Sequence, residues 1–403
     1  MSLRPITLFG IVLSMVTGIA LGISGYHAWL TPETRSIEAE DFRDVLLQVR
    51  DSYVDEVGEG ELVRGALIGM LGELDPHSRY LDGLDFDTLQ AETVGAFGGI
   101  GVEIGLVDGY FTVVTPMDDT PAASAGIAPG DRIVELNHES LRGKRLTDVV
   151  ELLRGEPGSE VHLRIERNSA DTESTREQEV SLTRAVIDIA SVEARLLEPG
   201  YGYIRIAQFD TTTAEDFLDA LRDLNEDNDT DLQGLVLDLR NNPGGVLQAS
   251  VSVADAFLED GLIVYTAGRL PSSHLKYRAS GKDTLAGKPL VILINEGSAS
   301  AAEIVAGALK DHKRATLLGT KSYGKGSVQS VMPLGDHRAI KLTTAYYYTP
   351  SGETINERGI EPDVLADDTS TNAAEHEIHL LTQALDILKN EQNPDGVKLQ
   401  ARL

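Results

Sequence analysis

Two apolar strands, each running into a glycine-containing turn and an apolar helix, constrain this chain more than any other feature. The run Pro289-Leu290-Val291-Ile292-Leu293-Ile294 has the length and composition of a buried strand. Ala301 to Leu309, rich in Ala, Ile and Leu, reads as a helix. Gly297, Ser298, Ala299 and Ser300 lie between them, which sets a serine hydroxyl beside the unpaired N–H groups of a helix N-terminus. Acyl-transfer nucleophiles use this geometry. Lys325 follows, held between Gly324 and Gly326, with Gln329 beyond it.

A serine is a weak nucleophile until a base takes its proton. The chain has no G-x-S-x-G, and its nine histidines follow no recognisable triad pattern. A lysine can act as the base when it is neutral, and burial of the ammonium in an apolar pocket favours the neutral form. Flanking glycines let the backbone approach closely and leave room for the amine to reach inward. The Gln329 amide can orient that amine without adding a charge. On spacing alone, an N-cap serine and a solvated lysine remain open as the simpler reading.

The second strand–turn–helix is Leu235-Val236-Leu237, then Asp238-Leu239-Arg240-Asn241-Asn242-Pro243-Gly244-Gly245, then an apolar helical stretch from Val246 to Leu258. Its glycines leave N–H groups free at a helix N-terminus, which suits an anion or an oxyanion. A glycine-lined tight turn is the alternative.

At 403 residues the chain is long enough for two or three domains, and a hydrophobic content of 41% excludes a disordered protein. Its 64 acidic and 35 basic residues give a net charge of −29, which repels nucleic acid and serves solubility. The absence of cysteine excludes disulfides and thiolate metal sites. From Pro5 to Pro32 there is no Asp, Glu, Lys or Arg, and Ile6 to Ser24 is a largely apolar core of nearly bilayer-spanning length. No clean A-x-A site follows, and Trp29 suits a membrane interface. The segment is therefore expected to be an uncleaved anchor in preference to a cleaved signal peptide, with the remainder exported to the extracytoplasmic side of the cell envelope.

Residues 37–90 read as helical, with Phe42, Val45, Leu46 and Val49 at helical spacing and a second helix, Leu62 to Leu74, stopped by Asp75-Pro76-His77-Ser78. Asp75 and His77 read as a capped turn and not as catalytic residues. Phe97 to about Arg167 alternates strands and glycine turns, with strands at Gly101–Ile104, Tyr110–Thr115 and Val161–Ile165 and a helix at Leu146–Leu153. A dinucleotide fingerprint fails there, because after Gly99 and Gly101 the third glycine falls on Ile104. Asn168 to Gln178 is polar and reads as a connection or hairpin tip. Thr213 to Leu224 reads as a helix, Asn225 to Asp231 as a solvated loop, and Ala339 to Thr349 as a β-rich run. A late helix, Glu375 to Leu388, carries Leu380, Leu381, Ala384 and Leu388 on one face. Its His376-Glu377-Ile378-His379 is one residue short of a zinc motif.

The string G-S-A-S-A-A-E-I-V-A-G-A-L-K-D, followed by S-Y-G-K-G-S-V-Q, resembles the active-site signature of the carboxyl-terminal processing peptidases, or tail-specific proteases. The resemblance implies that Ser300 is the nucleophile, Lys325 the base and Gln329 its support. Gly244 or Gly245, together with the Ala301 N–H, would form the oxyanion hole. Ala302 stands where relatives often carry serine, and Tyr346 where arginine is common; Asp311 matches an acidic helix position expected to be structural. P-A-A-S-A-G and P-G-D-R-I resemble marks of a PDZ domain, with Phe97, Gly98, Gly99, Ile100 and Gly101 as the loop that would receive a peptide terminus.

The implied fold class is a multidomain α/β protein. It comprises a membrane segment (1–35), a small helical region (36–95), a β-rich PDZ domain with two helices (96–185), a mixed α/β crotonase-like protease core (186–368) and a C-terminal helix and tail (369–403). The implied activity is that of a serine endopeptidase that binds protein C-termini and needs no metal or cofactor. Expected partners are protein substrates, the membrane, an activating adaptor and a second copy of the chain, but not nucleic acid. A protease held latent until a tail or partner arrives fits the same residues, and a PDZ scaffold without catalysis fits them less well.

Overall fold

The computed structural model of the protein describes residues 39–107, 109–168, 175–228, 231–366 and 373–392. The apolar segment 6–24 and Trp29 lie outside them, and among the described residues no helix is long and apolar enough to cross a membrane. The chain divides into two compact units, one ending at Met70 and the other starting at Leu71. The first contains the helix Ala39–Ser52, on which Phe42, Val45 and Val49 are exposed.

The second unit is built on a six-stranded sheet in the order Val192–Glu198, Tyr201–Ile206, Gly234–Asp238, Leu290–Ile294, Thr316–Gly319, Val364–Leu365. All its pairings are parallel except the first. Strands buried on both faces read as continuous apolar runs, which explains Leu235-Val236-Leu237 and Leu290 to Ile294. Leu235, Leu237, Leu290 and Ile292 enter one core with the helices Thr213–Asp227, Leu247–Asp255 and Ala301–Asp311. Val236, Val291 and Leu293 enter another, closed by Leu380, Ala384 and Leu388 of the helix Ala373–Gln392. Each fully buried Leu, Ile or Val contributes about 1.5–3 kcal/mol. The first of these helices runs through Asp227, so part of the expected acidic loop is helical; Phe217, Leu221 and Leu224 anchor it at helical spacing.

A second sheet lies beside the first. Its strand Arg338–Tyr348 pairs with Ser327–Gly335, with Leu262–Ala267 and with Arg79–Asp82. Arg79–Asp82 falls inside the stretch expected to be helical. Pairing with a distant strand, which buries Leu81 completely, overrides local propensity there. Asp75 makes the expected turn, accepting from the N–H groups of His77 and Ser78 and from the Ser78 hydroxyl.

Five antiparallel strands, Val102–Val107, Tyr110–Pro116, Arg132–Leu136, Glu160–Asn168 and Thr175–Thr183, enclose a separate core with the helix Leu146–Leu153. Val102–Val107 ends the order, and among the described residues no strand pairs with its outer edge. The stretch from Phe97 to Gly101, expected to be a loop, is partly a strand: Ala96–Gly99 pairs with Ala185–Asp188. Gly98 is required by contact, since a Cβ there would lie 2.1 Å from the Gly155 carbonyl oxygen. Ile100 is buried in this core.

Candidate active site

The two strand–turn–helix units sit on adjacent parallel strands, so both turns emerge at the carboxyl end of the sheet, where open α/β sheets carry their sites. Asparagines clasp the turns together. Asn241 N–H donates to Asn295 Oδ1 (2.8 Å), and Asn295 Nδ2 returns a bond to Asn241 Oδ1 (2.9 Å). Ala299 N–H donates to the Asn242 carbonyl, and the Ser298 hydroxyl to the Leu239 carbonyl. Ser298 is thus a structural neighbour of Ser300.

Ser300 occupies the last turn position with φ 56° and ψ −113°, a conformation an L-residue adopts only when its surroundings force it. The helix Ala301–Asp311 behind it is buried from Ala301 to Leu309, and small residues let it pack closely on Leu247–Asp255. Gly244 presses on the serine: a Cβ at Gly244 would lie 2.6 Å from Ser300 Cβ and 3.0 Å from the Ala301 nitrogen. Gly244 N–H is taken by Asn242 Oδ1 (2.8 Å). The N–H groups of Gly245 and Ala301 find no acceptor among the described residues. Of the two glycines expected to supply an oxyanion donor, Gly245 is therefore the one with its donor unspent.

Ser300, Lys325, Gln329, Gly244 and Gly245 line one cavity of about 550 Å³. Lys325 sits in a loop shaped by its glycines, because a Cβ on Gly326 would meet the Asn356 nitrogen at 2.3 Å and one on Gly324 the Gly359 nitrogen at 2.9 Å. Burial pushes the Lys325 amine below the ordinary lysine value, opposed by Glu303 and assisted by Arg79. Gln329 Nε2 donates to Ser327 Oγ (2.9 Å) and to Thr343 Oγ1 (3.3 Å), and the residue borders the cavity. Asp311 accepts from Ser351 N–H, the structural role expected of it.

Two residues were not foreseen. Glu303, completely buried, accepts four hydrogen bonds: from Ser322 Oγ (2.6 Å) and Gly324 N–H (2.7 Å) on one oxygen, and from Ser300 N–H (2.8 Å) and Lys325 N–H (2.9 Å) on the other. Burial pushes its carboxyl up, against the pull of these four donors. Three of the four donors are backbone N–H groups, which cannot accept a proton in return. The sequence did carry a signal, since Ser300-x-x-Glu303 ahead of an apolar run is a capping-box pattern.

The second is Tyr347. Its hydroxyl shares a 2.7 Å hydrogen bond with Ser300 Oγ, and burial pushes its pKa up to about 12, so it stays a neutral phenol. Tyr347 N–H also donates to the Gly326 carbonyl beside Lys325. The resting partner of the Ser300 hydroxyl is thus Tyr347. Of the zinc-like string, Glu377 pairs with Arg240, and no cluster fit to hold a metal occurs among the described residues.

Residues 200–366 match the model of peptidase family S41, and residues 112–167 that of a PDZ domain. A carboxy-terminal-processing protease of Bartonella bacilliformis is 43% identical over 327 residues, covering 81% of this chain and 74% of that protein. The carboxy-terminal processing protease CtpA of Bacillus subtilis is 32% identical over 371 residues, covering 90% and 78%. A photosystem II D1 C-terminal processing protease of known structure is 32% identical, covering 81% of this chain and 92% of that one, with a TM-score of 0.46.

Proposed function

Given that the chain belongs to the carboxy-terminal processing proteases of peptidase family S41, serine-type peptidases, and carries a PDZ domain, we propose that it is a Ser–Lys endopeptidase that selects substrates by their C-termini. One observation carries this reading. Ser300, a lysine driven towards its neutral form and Gly245 with its N–H unspent border a single cavity, and the unspent Ala301 N–H follows Ser300 directly in the chain. Neutral Lys325 takes the Ser300 proton as Oγ attacks the scissile carbonyl. Gly245 and Ala301 N–H donate to the oxyanion, and Lys325 passes the proton to the leaving amine. Water, deprotonated by the same amine, then releases the acyl group and regenerates Ser300.

Tail selection is supported by the outer edge of Val102–Val107 beside the helix Leu146–Leu153, where an extended chain could add as a further strand. The uncharged segment 6–24 supports anchoring to a membrane with the catalytic part on its extracytoplasmic side. The test is cleavage of an unfolded reporter protein by the full chain and by its Ser300→Ala variant. The parent should cleave and the variant should not; equal cleavage by both removes Ser300 from the mechanism.

The Ser300–Tyr347 bond favours a second element, a resting state in which the nucleophile is held by tyrosine until a tail or adaptor arrives. A neutral hydrogen bond is worth about 0.5–1.5 kcal/mol, so Tyr347→Phe should raise untriggered cleavage roughly 2–10-fold. It should also shrink the further gain on adding a C-terminal peptide. A fall in the untriggered rate at unchanged KM would instead make Tyr347 an orienting donor for the attack.

A further inference from the structure

The catalytic cavity holds more positive charge than the proposed chemistry uses. Lys341 lines it together with Lys325, Gln329 and Tyr347. Lys341 and Tyr347 belong to one strand, Arg338–Tyr348, whose register shifts between Thr343 and Ala345, and both border the cavity. Arg79 stands directly opposite Lys341 in the antiparallel pairing of Arg79–Asp82 with Arg338–Tyr348, which brings the roots of the two side chains within about 4.5–5.5 Å.

Among the described residues neither Lys341 nor Arg79 has a hydrogen bond or an ion pair through its side chain. The acids nearby are engaged or too far. Glu303 is saturated by four donors, and Asp75 is held by His77, Ser78 and Thr343. Glu92 borders the cavity and is felt by Lys341 without reaching ion-pair distance. Burial, then Lys325 and Arg79, press the Lys341 amine below the ordinary lysine value. A protein with 64 acids against 35 bases has left Lys341 in its reaction cavity without an ion pair among the described residues, and Arg79 beside it at an exposed position.

Resting on the peptidase reading above, we propose that Lys341, in the wall of the catalytic cavity, and Arg79, opposite it on the neighbouring strand, form a carboxylate-binding site, which holds an acidic group of the substrate chain while Ser300 attacks a nearby peptide bond. The group is either an Asp or Glu side chain or the terminal carboxylate of a chain cut close to its end. Arginine offers a fork of donors and lysine a point charge, a pair suited to one planar carboxylate. The bound anion also compensates the repulsion between Lys341 and Arg79, so the site is most complete when substrate is present.

The test uses the full chain and a peptide series in which each Glu or Asp is exchanged for Gln or Asn, and the free C-terminus for an amide. Binding is read on the Ser300→Ala background and kcat/KM on the active enzyme. One acid–neutral pair should differ by roughly tenfold or more in favour of the acid. In Lys341→Gln that ratio should fall towards one, and in Lys341→Arg it should be retained. A ratio lost at an internal position assigns the site to a side chain; one lost for the acid–amide pair assigns it to the terminus. If Lys341→Gln lowers the melting temperature, the same ratio is read on Arg79→Gln, at an exposed position. A ratio that persists in both variants belongs to another surface and overturns the proposal, as does the absence of any acid preference. Peptides that bind with the expected ratio but are never cut would leave this site standing and remove the peptidase reading instead.

Discussion

Lys325→Met is expected to lower kcat by about 10⁴-fold or more, equivalent to roughly 5 kcal/mol of transition-state stabilisation, with little change in folding. Methionine fills the same space without an amine, and removing a half-buried cation beside Lys341 and Arg79 should leave the melting temperature equal or higher. Lys325→Arg should be as inactive, because guanidinium stays protonated and cannot accept the serine proton. The pH dependence of kcat/KM carries the same information. Burial lowers the lysine pKa, so the neutral fraction, and with it the rate, should rise with pH to a plateau whose midpoint lies below the ordinary lysine value of 10.5. Turnover by folded Lys325→Met at the parent rate would end the Ser–Lys assignment.

Glu303→Gln is expected to be nearly as damaging, by another route. The amide replaces one acceptor oxygen with an NH2 group and turns it on two donors, either Ser300 and Lys325 N–H or Ser322 Oγ and Gly324 N–H. Leaving buried donors unsatisfied costs about 1–3 kcal/mol each, so a stability loss of roughly 2–5 kcal/mol should appear in denaturant unfolding. Activity should fall at least about 10²-fold even well below the new melting temperature, because small misplacements of reacting groups are expensive. A variant of parental stability and activity would mean that the cage positions nothing.

What the sequence made legible follows from how local each feature is. The turn at Ser300 could be read because strand, glycine and helix are contiguous and each has its own periodicity. The helix Leu146–Leu153 was found to the residue for the same reason. The strand Arg79–Asp82 was hidden because its reason to be extended is a partner far along the chain, as is the reason Arg79 meets Lys341. Tyr347 was visible only as one of three tyrosines in a β run; which of them reaches Ser300 depends on the register of that strand. The glycines of Phe97–Gly101 were legible as a backbone requirement but not as to its cause, which at Gly98 is the approach of Gly155.

The Glu303 cage has a consequence for how the protein fails. One carboxylate holds the amides of Ser300, Gly324 and Lys325, so the nucleophile's turn and the base's loop share a single hinge pin. The two are coupled: a fluctuation that displaces the buried Glu303 carboxyl takes the acceptor from both at once. Loss of the Glu303 carboxyl from its place therefore disturbs the serine's turn and the lysine's loop together. For an enzyme whose reagent is dangerous to neighbouring proteins, nucleophile and base are tied to one buried group.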